Sequence, residues 1–436
     1  RKLVRLQEMV KAINKEKGIE PREDPWYVQG GIICLMVLCY LAPGLHLSWS
    51  SITGVIDRYT ASDVKVYDVG SYIAYMAGSP DGDLLALGTE KGLYVWDASV
   101  RKCVWSDDCL AVQRVRFSPS GRYLAAAGGR PEGASDLAVY EVDGFRRLPG
   151  FGWPEHEEHK EKVFHDMAFR PDEETLLVLW HRSWIWNRMS QGWDNNEAKV
   201  VKEREEELGH KTNRADLLCT EVDVNRGAIG LPRTIHQGLS VYSELSPEGS
   251  AYFSSDSSRF VYPTNNGQSI SVFKWVHSVD TRTWEERVFQ LDGYFLKSWI
   301  GKSYFEWKLN TKGTKAYLLG EREEKEKSVG VLLELELDLK TGVKRDFPKK
   351  GKRLLLLPDE RRVVTLAGDW TERTRLVILN LLDIETRAEM KVIRKFDKND
   401  RGSPKRFACL NAELFAVAMD DQKGSLVFID LDKEGK

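Results

Sequence analysis

The chain has 436 residues, of which 42% are hydrophobic and 10% aromatic. An average domain has about 100–150 residues, so this length requires several domains or one large repeat architecture. The hydrophobic content excludes an intrinsically disordered chain. The 64 Lys and Arg residues nearly balance the 66 Asp and Glu residues, which leaves a formal charge of −2. We therefore expect no nucleic-acid partner and no general attraction to anionic membranes.

Residues 1–60 differ from the rest and are expected to form a helical segment ahead of a main domain at 61–436. Residues 26–49 contain no charged side chain, carry Trp26 and Trp49 at their ends, and are long enough to span a membrane. Pro43 followed by Gly44 would break such a helix, which favours a buried helix instead. Both interpretations stay open. The chain also begins at Arg1 rather than methionine, which is compatible with a further domain upstream.

The six cysteines include no C-x-x-C pair, so the sequence predicts neither a disulfide framework nor a structural zinc site. Cys219 and Cys409 lie in apolar runs and are expected to be buried free thiols. Cys103 and Cys109 flank a short polar turn and would form a bridge only in an oxidising compartment.

Beyond residue 60 the sequence consists of short apolar strands separated by turn residues, at a regular spacing. The clearest unit, residues 71–97, contains the turn Ser79-Pro80-Asp81-Gly82 between two strands and ends in Trp96-Asp97. Proline presets φ, aspartate bonds back to the backbone and glycine accepts positive φ, so this tetrapeptide reverses the chain tightly. Related turns recur at 118–121, 170–173 and 310–313, and Gly209-His210 precedes a later strand.

These units resemble the WD-repeat family of β-propellers. The resemblance implies an all-β propeller of four-stranded blades, and we count eight units, with seven as the alternative because the fourth unit has the weakest turn. The last unit offers three strands, and residues 64–69 offer one strand without a partner, so we expect the latter to close the ring. The Trp-Asp and Gly-His dipeptides each appear in one unit only, a departure from the strict repeat.

No catalytic motif is present. The sequence has no G-x-S-x-G elbow, no phosphate-binding loop and no dinucleotide fingerprint, so we assign no catalytic residue and no cofactor. His156, His159 and His165 lie among carboxylates, but the first two are three residues apart rather than the four that place metal ligands on one helix face. We interpret this run as a solvated loop and predict no metal there.

The resemblance implies that the loops between blades, and those joining second to third strands, open on one end of the ring. Long connections fall at 128–136, 144–162, 292–303, 321–328 and 368–374. Aromatic and arginine side chains dominate binding hot spots. The predicted partner contacts are therefore Arg130, Trp153, Tyr294, Trp299, Trp370 and Arg373.

The sequence favours a monomeric, non-enzymatic scaffold or sensor that binds protein partners through these loops. One alternative is a propeller hydrolase or lyase with its site at the channel mouth. The other is the sensing part of a larger membrane signalling protein, with the propeller outside the cytoplasm if residues 26–49 span the membrane. Otherwise a soluble cytoplasmic protein is expected.

Overall fold

The structure is a computed structural model that describes residues 65–431 apart from 109, 130–134, 152–161, 183–213, 241–250, 265–271, 292–293, 300–301, 304–306, 325–326, 339–343, 349–352, 370–375, 386–387 and 397–403. The predicted N-terminal segment, with its candidate span at 26–49, lies outside these residues. Within the described part of the chain, no helix has the length and apolar character needed to cross a membrane.

The described strands form seven antiparallel sheets, which are the blades of a β-propeller. The first strand of the chain is β1 (Val66–Asp68). Blade 1 contains β2 (Ile73–Gly78), β3 (Leu84–Thr89), β4 (Leu93–Asp97) and β5 (Lys102–Asp107). Blade 2 contains β6 (Ala111–Phe117), β7 (Tyr123–Gly129), β8 (Ser135–Glu141) and β9 (Arg146–Arg147), with a 3-10 turn at Asp143–Phe145. Blade 3 contains β10 (Lys162–Phe169), β11 (Thr175–Arg182), β12 (Arg214–Asp223), β13 (Ala228–Ile229) and β14 (Arg233–Ser240).

The remaining blades follow the same plan with one irregular sheet. Blade 4 contains β15 (Tyr252–Phe253), β16 (Arg259–Thr264), β18 (Trp275–Asp280) and β19 (Glu286–Gln290). Blade 5 contains β17 (Val272–Phe273), β20 (Tyr294–Trp299), β21 (Lys302–Ser303), β22 (Trp307–Leu309), β23 (Lys315–Glu324), β24 (Lys327–Glu336) and β25 (Lys344–Pro348). Blade 6 contains β26 (Arg353–Leu356), β27 (Arg362–Asp369), β28 (Leu376–Asp383) and β29 (Ala388–Phe396). Blade 7 contains β30 (Pro404–Cys409), β31 (Leu414–Met419) and β32 (Ser425–Asp430), together with β1.

The ring has seven blades rather than eight, because the third and fourth sequence units share one sheet. Strand β12 pairs directly with β11, with Leu218 opposite Trp180. It is therefore the third strand of blade 3, reached after the long connection 183–213, and not the first strand of a new blade. The weak turn chemistry of the fourth unit has this cause.

The predicted closure of the ring is confirmed. Strand β1 adds to the outer edge of β32, with Val66 opposite Val427 and Asp68 opposite Ser425. Tyr67 packs edge-on against Phe428 and Trp96, which joins blade 7 to blade 1. A strand from the start of the propeller thus completes the blade at its end, and covers an edge that would otherwise be open for pairing.

Tight turns join the first and second strands of the blades, as the Ser-Pro-Asp-Gly pattern predicts. In blade 1 the Gly82 amide donates to the Ser79 carbonyl at 3.0 Å, and Gly82 has a φ of 81°. In blade 3 the same place is taken by Glu173, with a φ of 59°. Each turn lets the second strand pair antiparallel with the first within one blade. The hydrophobic core lies between the faces of neighbouring blades. One such layer joins Ala86 and Val95 of blade 1 to Leu124 and Ala138 of blade 2.

Candidate functional site

A bulge recurs in the inner strands, which are the first strands of the blades and line the central channel. The register shifts between Ile73 and Tyr75 in β2, and at matching positions in β6, β10 and β30. The residue after each bulge stands four places before the turn that follows. A bulge bends a strand and re-aims its side chains, which here sets up a recurring position in the channel. That position holds Tyr75, Arg114, Asp166 and Arg406 in blades 1, 2, 3 and 7.

Two arginines at this position reach forward to the next blade. Arg114 donates from Nε to the carbonyl of His165, and Arg406 donates from Nε to the carbonyl of Ala74 at 2.9 Å. Both acceptors are the extra residues of the neighbouring bulges. Burial lowers the pKa of Arg114, and the charge of Arg406 acts in the same direction. The acceptors of these two hydrogen bonds are uncharged carbonyl groups.

A buried carboxylate links three blades beside these arginines. Asp166, only 1% exposed, accepts from Arg116 Nη2 at 3.0 and 3.2 Å and from the Phe253 amide at 2.8 Å. Arg116 also donates from Nε to the Met167 carbonyl at 2.7 Å. Because Arg116 belongs to blade 2, Asp166 to blade 3 and Phe253 to blade 4, this network fixes the spacing of their inner strands.

A cavity of about 580 Å³ opens between the inner strands, at the end of the channel that carries the tight turns. Its described lining includes four cationic side chains and one carboxylate, which is that of Asp256. Tyr75 and Tyr252 add aromatic faces: the Arg114 guanidinium lies 4.9 Å from the Tyr75 ring centre, and Lys308 Nζ lies 5.5 Å from that of Tyr252. The four cations are Arg114, Arg116, Lys308 and Arg406. The cavity suits an anionic group.

The described lining of this cavity holds one carboxylate, two phenols and one thiol beside its cations. It includes no histidine, and its one thiol, Cys409, has its pKa raised by burial to about 12. A thiol of that pKa remains protonated at neutral pH and is a weak nucleophile. The cationic side chains of the lining favour binding of an anion.

The first two strands of blade 3 carry two buried histidines, His165 on β10 and His181 on β11. His165 Nε2 and His181 Nδ1 are 2.8 Å apart, with the rings stacked at 4.9 Å. Burial lowers the pKa of His181 to about 3 and that of His165 well below its usual value, so both rings are neutral at pH 7. His165 was expected in a solvated loop; it lies instead in β10, because the strand begins at Lys162. His156 and His159 lie outside the described residues.

The six predicted partner contacts are only partly placed. Tyr294 and Trp299 are the two ends of β20 rather than parts of a loop, since β20 pairs with β17, β21 and β23. Residues 321–328, also expected as a loop, continue β23 and β24 as a long hairpin. Arg130, Trp153, Trp370 and Arg373 lie outside the described residues.

The cysteines that the structure describes match their expected character in one case. Cys219 is buried in the layer between blades 3 and 4. Cys409 is only partly buried, because it borders the cavity. Cys103 is an exposed free thiol in β5, and Cys109 is outside the described residues.

Comparison with known proteins identifies a shared fold. No protein-family model matches the chain, and no curated protein matches it significantly. A chain of the mitotic checkpoint complex superposes with a TM-score of 0.51 and 12% identity, over 84% of this chain and 94% of its own. An oligogalacturonate lyase in complex with manganese superposes with a TM-score of 0.52 and 12% identity, over 86% and 92%. The β-propeller domain of Cps50 (Swd1) from Myceliophteria thermophila gives a TM-score of 0.49 at 10% identity, over 84% and 99%.

The chain is a seven-bladed β-propeller. Its identities to these structures are too low to transfer any activity, since one fold hosts many unrelated functions.

Proposed function

We propose that this protein is a non-enzymatic interaction module of the WD-repeat type, which binds an acidic segment of a partner protein at the turn end of its central channel. The single observation that carries this proposal is the cluster of cationic side chains around one cavity, in which Arg114, Lys308 and Arg406 accompany Arg116 and its ion pair with Asp166. A propeller in the mitotic checkpoint complex belongs, by that name, to an assembly of proteins. We propose the same general use here.

The lining of the cavity favours a negatively charged ligand. Its volume falls in the range of about 300–1,000 Å³ that is common for ligand pockets. Arginine guanidinium groups bind carboxylates through paired hydrogen bonds, and lysine adds a mobile ammonium. Tyr75 and Tyr252 offer apolar faces to the stems of acidic side chains. An aspartate- or glutamate-rich segment entering from the turn end matches this lining.

The test is fluorescence anisotropy of a labelled glutamate-rich peptide titrated with the full chain. We expect saturable binding that weakens with salt, because several ionic contacts are formed. Arg406→Met and Lys308→Met should each raise Kd about tenfold, since each removes one of the four cations. Neither residue forms a layer of the hydrophobic core, so the fold should survive both changes.

Lys405→Met is the matched control. Lys405 neighbours Arg406 in sequence, but it pairs with Asp420 at 3.2 Å and is not part of the cavity lining. Its loss should leave Kd within about twofold of wild type. Equal binding of a glutamine-rich peptide, or equal Kd for all three variants, would refute the proposal.

Two expectations from the sequence remain proposals beside this one. Arg130, Trp153, Trp370 and Arg373, together with Tyr294 and Trp299 at the ends of β20, are proposed contacts for a protein partner. Residues 26–49 remain a candidate membrane anchor. Alkaline carbonate extraction of the full chain tests the anchor, because a peripheral protein is released and a spanning one stays in the pellet.

A further inference from the structure

A second polar cluster lies between blades 3 and 4, away from the channel. Tyr262 on β16 stands opposite His277 on β18. Glu286 on β19 opposes Val279, two residues from His277, so His277 and Glu286 are diagonal neighbours on one face of the sheet. His236 on β14 approaches from blade 3, beside two register shifts in the pairing of β14 with β12. Four strands of two blades thus bring two imidazoles, a phenol and a carboxylate together.

The donor atoms are spaced as ligands of one ion. His277 Nδ1 lies 2.9 Å from Glu286 Oε1, and one ligand atom from each of His236, His277 and Glu286 lies within 4.8 Å of the other two. Ligands at about 2.0–2.1 Å from a tetrahedral Zn²⁺ are roughly 3.3 Å apart. Side-chain rotations that move the ligand atoms by about 1 Å would therefore place all three within bonding distance of one ion.

Neighbouring side chains hold the ligands in the required orientation. Thr264 Oγ1, which is 1% exposed, lies 2.8 Å from His277 Nε2 and leaves Nδ1 facing Glu286. The Tyr262 hydroxyl donates to Glu286 Oε1 and lies 3.1 Å from His236 Nδ1. A hydrogen bond on the second nitrogen of a ligating histidine is the usual means of fixing its ring in metal sites.

Burial is graded across the cluster. The His277 ring is packed at 4.7 Å against Tyr262 and only 5% of the residue is exposed, whereas the Glu286 side chain is 36% exposed. The hydrogen bond from His277 lowers the pKa of Glu286, which keeps the carboxylate ionised at neutral pH. An ion can enter from the exposed side, and a water molecule can complete its coordination there.

We propose that His236, His277 and Glu286 bind one divalent transition-metal ion, for which Zn²⁺ is the best match. Two imidazoles and one carboxylate suit Zn²⁺, Ni²⁺ or Cu²⁺ better than Mg²⁺ or Ca²⁺, which prefer sets made only of oxygen. The ion would clip the outer strand of blade 3 to blade 4. The site shares no residue with the cavity, so it is independent of the proposed function.

The test is calorimetric titration of the full chain, freed of metal by chelation, with Zn²⁺. One equivalent should bind and raise the melting temperature, because the ion binds the folded state. His236→Ala and Glu286→Gln should each weaken Zn²⁺ binding at least tenfold. Co²⁺ in place of Zn²⁺ should give the intense visible absorption of a four-coordinate site in the wild type, and lose it in both variants.

The controls separate this site from adventitious binding. Glu285→Gln removes the same charge one residue away, outside the cluster, and should leave the titration unchanged. His156→Ala with His159→Ala removes two of the three histidines of the acidic segment 155–166 and should also leave the titration unchanged. The proposal is overturned if no equivalent of Zn²⁺ binds, if His236→Ala and Glu286→Gln bind it as the wild type does, or if binding disappears in the His156 and His159 variant.

Discussion

Two pairs of histidines, one within blade 3 and one between blades 3 and 4, have different surroundings. His165 and His181 are almost fully buried, with 2% and 0% exposure, and His165 Nδ1 and His181 Nε2 have no hydrogen-bond partner among the described residues. His236 and His277 share a cluster with Glu286, whose side chain is 36% exposed. Burial without an anionic partner disfavours the charged imidazole, whereas two imidazoles beside a carboxylate form a set of metal ligands. The residue type is the same, and the surroundings decide whether it is a neutral core group or a ligand.

The largest loss of stability is expected when Asp166, the buried carboxylate next to His165, loses its ion-pair partner. Arg116→Met would leave Asp166, adjacent to His165, as a buried charge held only by the Phe253 amide. Breaking a buried ion pair in this way costs about 3–5 kcal/mol, so we expect a loss of about 3 kcal/mol in the free energy of unfolding. Denaturant titration monitored by tryptophan fluorescence measures it.

A double variant shows whether the lost pair or the stranded charge is responsible. Arg116→Met with Asp166→Leu should be more stable than Arg116→Met alone, because replacing both partners with apolar groups removes the buried charge. If the double variant is less stable than Arg116→Met, Asp166 stabilises chiefly through the Phe253 amide, and the ion pair contributes little.

The second-largest effect is expected in acid, where the buried pair of His165 and His181 should lower the stability of the folded protein. The pKa of His181 is about 3 in the folded protein and about 6.5 in an unfolded chain. Below pH 6.5 the unfolded state therefore binds a proton that the folded state does not, and stability falls by about 1.4 kcal/mol per pH unit for this group. We expect a loss of about 2 kcal/mol between pH 6.5 and 5 from His181 alone. Denaturant midpoints across this range measure the slope.

Replacing His181 checks the source of that slope. His181→Asn should reduce the dependence of stability on pH between 6.5 and 5, while His236→Ala should leave it near the wild-type value. A slope that His181→Asn does not change would mean that other groups cause the acid sensitivity.

The smallest effect is expected at the surface cluster in the absence of metal. Glu286→Gln replaces a carboxylate that accepts from Tyr262 and His277, and its partial exposure limits the cost to about 1 kcal/mol at pH 7. Glu221→Gln, which affects an exposed pair with Arg170, should cost no more than that. A loss above 3 kcal/mol for Glu286→Gln would show that the cluster is a structural network in its own right.

The sequence predicts the fold well because each repeat is marked by turn and strand residues that are close together in the chain. The turn at 79–82 and the strand at 64–69 are recognisable from residues that lie next to one another, and both are confirmed. Of the two predicted blade counts, the alternative of seven is confirmed, because the pairing of β11 with β12 across residues 183–213 assigns both strands to one sheet. Strand pairing over that distance leaves no mark on either strand alone.

The cavity and the histidine cluster were missed for different reasons. Counting back four places from each turn yields Tyr75, Arg114, Asp166 and Arg406, so the channel-lining position was available in the sequence once the turns were aligned. The cluster had a weaker signal. His277 and Glu286 lie in two strands of one hairpin, but His236 comes from another blade, and no spacing rule connects it to them.

The closure of the ring affects how the protein folds while it is being synthesised. Strand β1 pairs with β32, and Arg406 reaches Ala74 across 332 residues of sequence. At about 5–20 residues per second, a ribosome needs roughly tens of seconds to make the chain between those partners. During that interval blade 1 lacks blade 7 as a packing partner, and the edge of β1 is unpaired and accessible to other chains. We therefore expect the newborn protein, rather than the finished one, to be the species that depends most on chaperones.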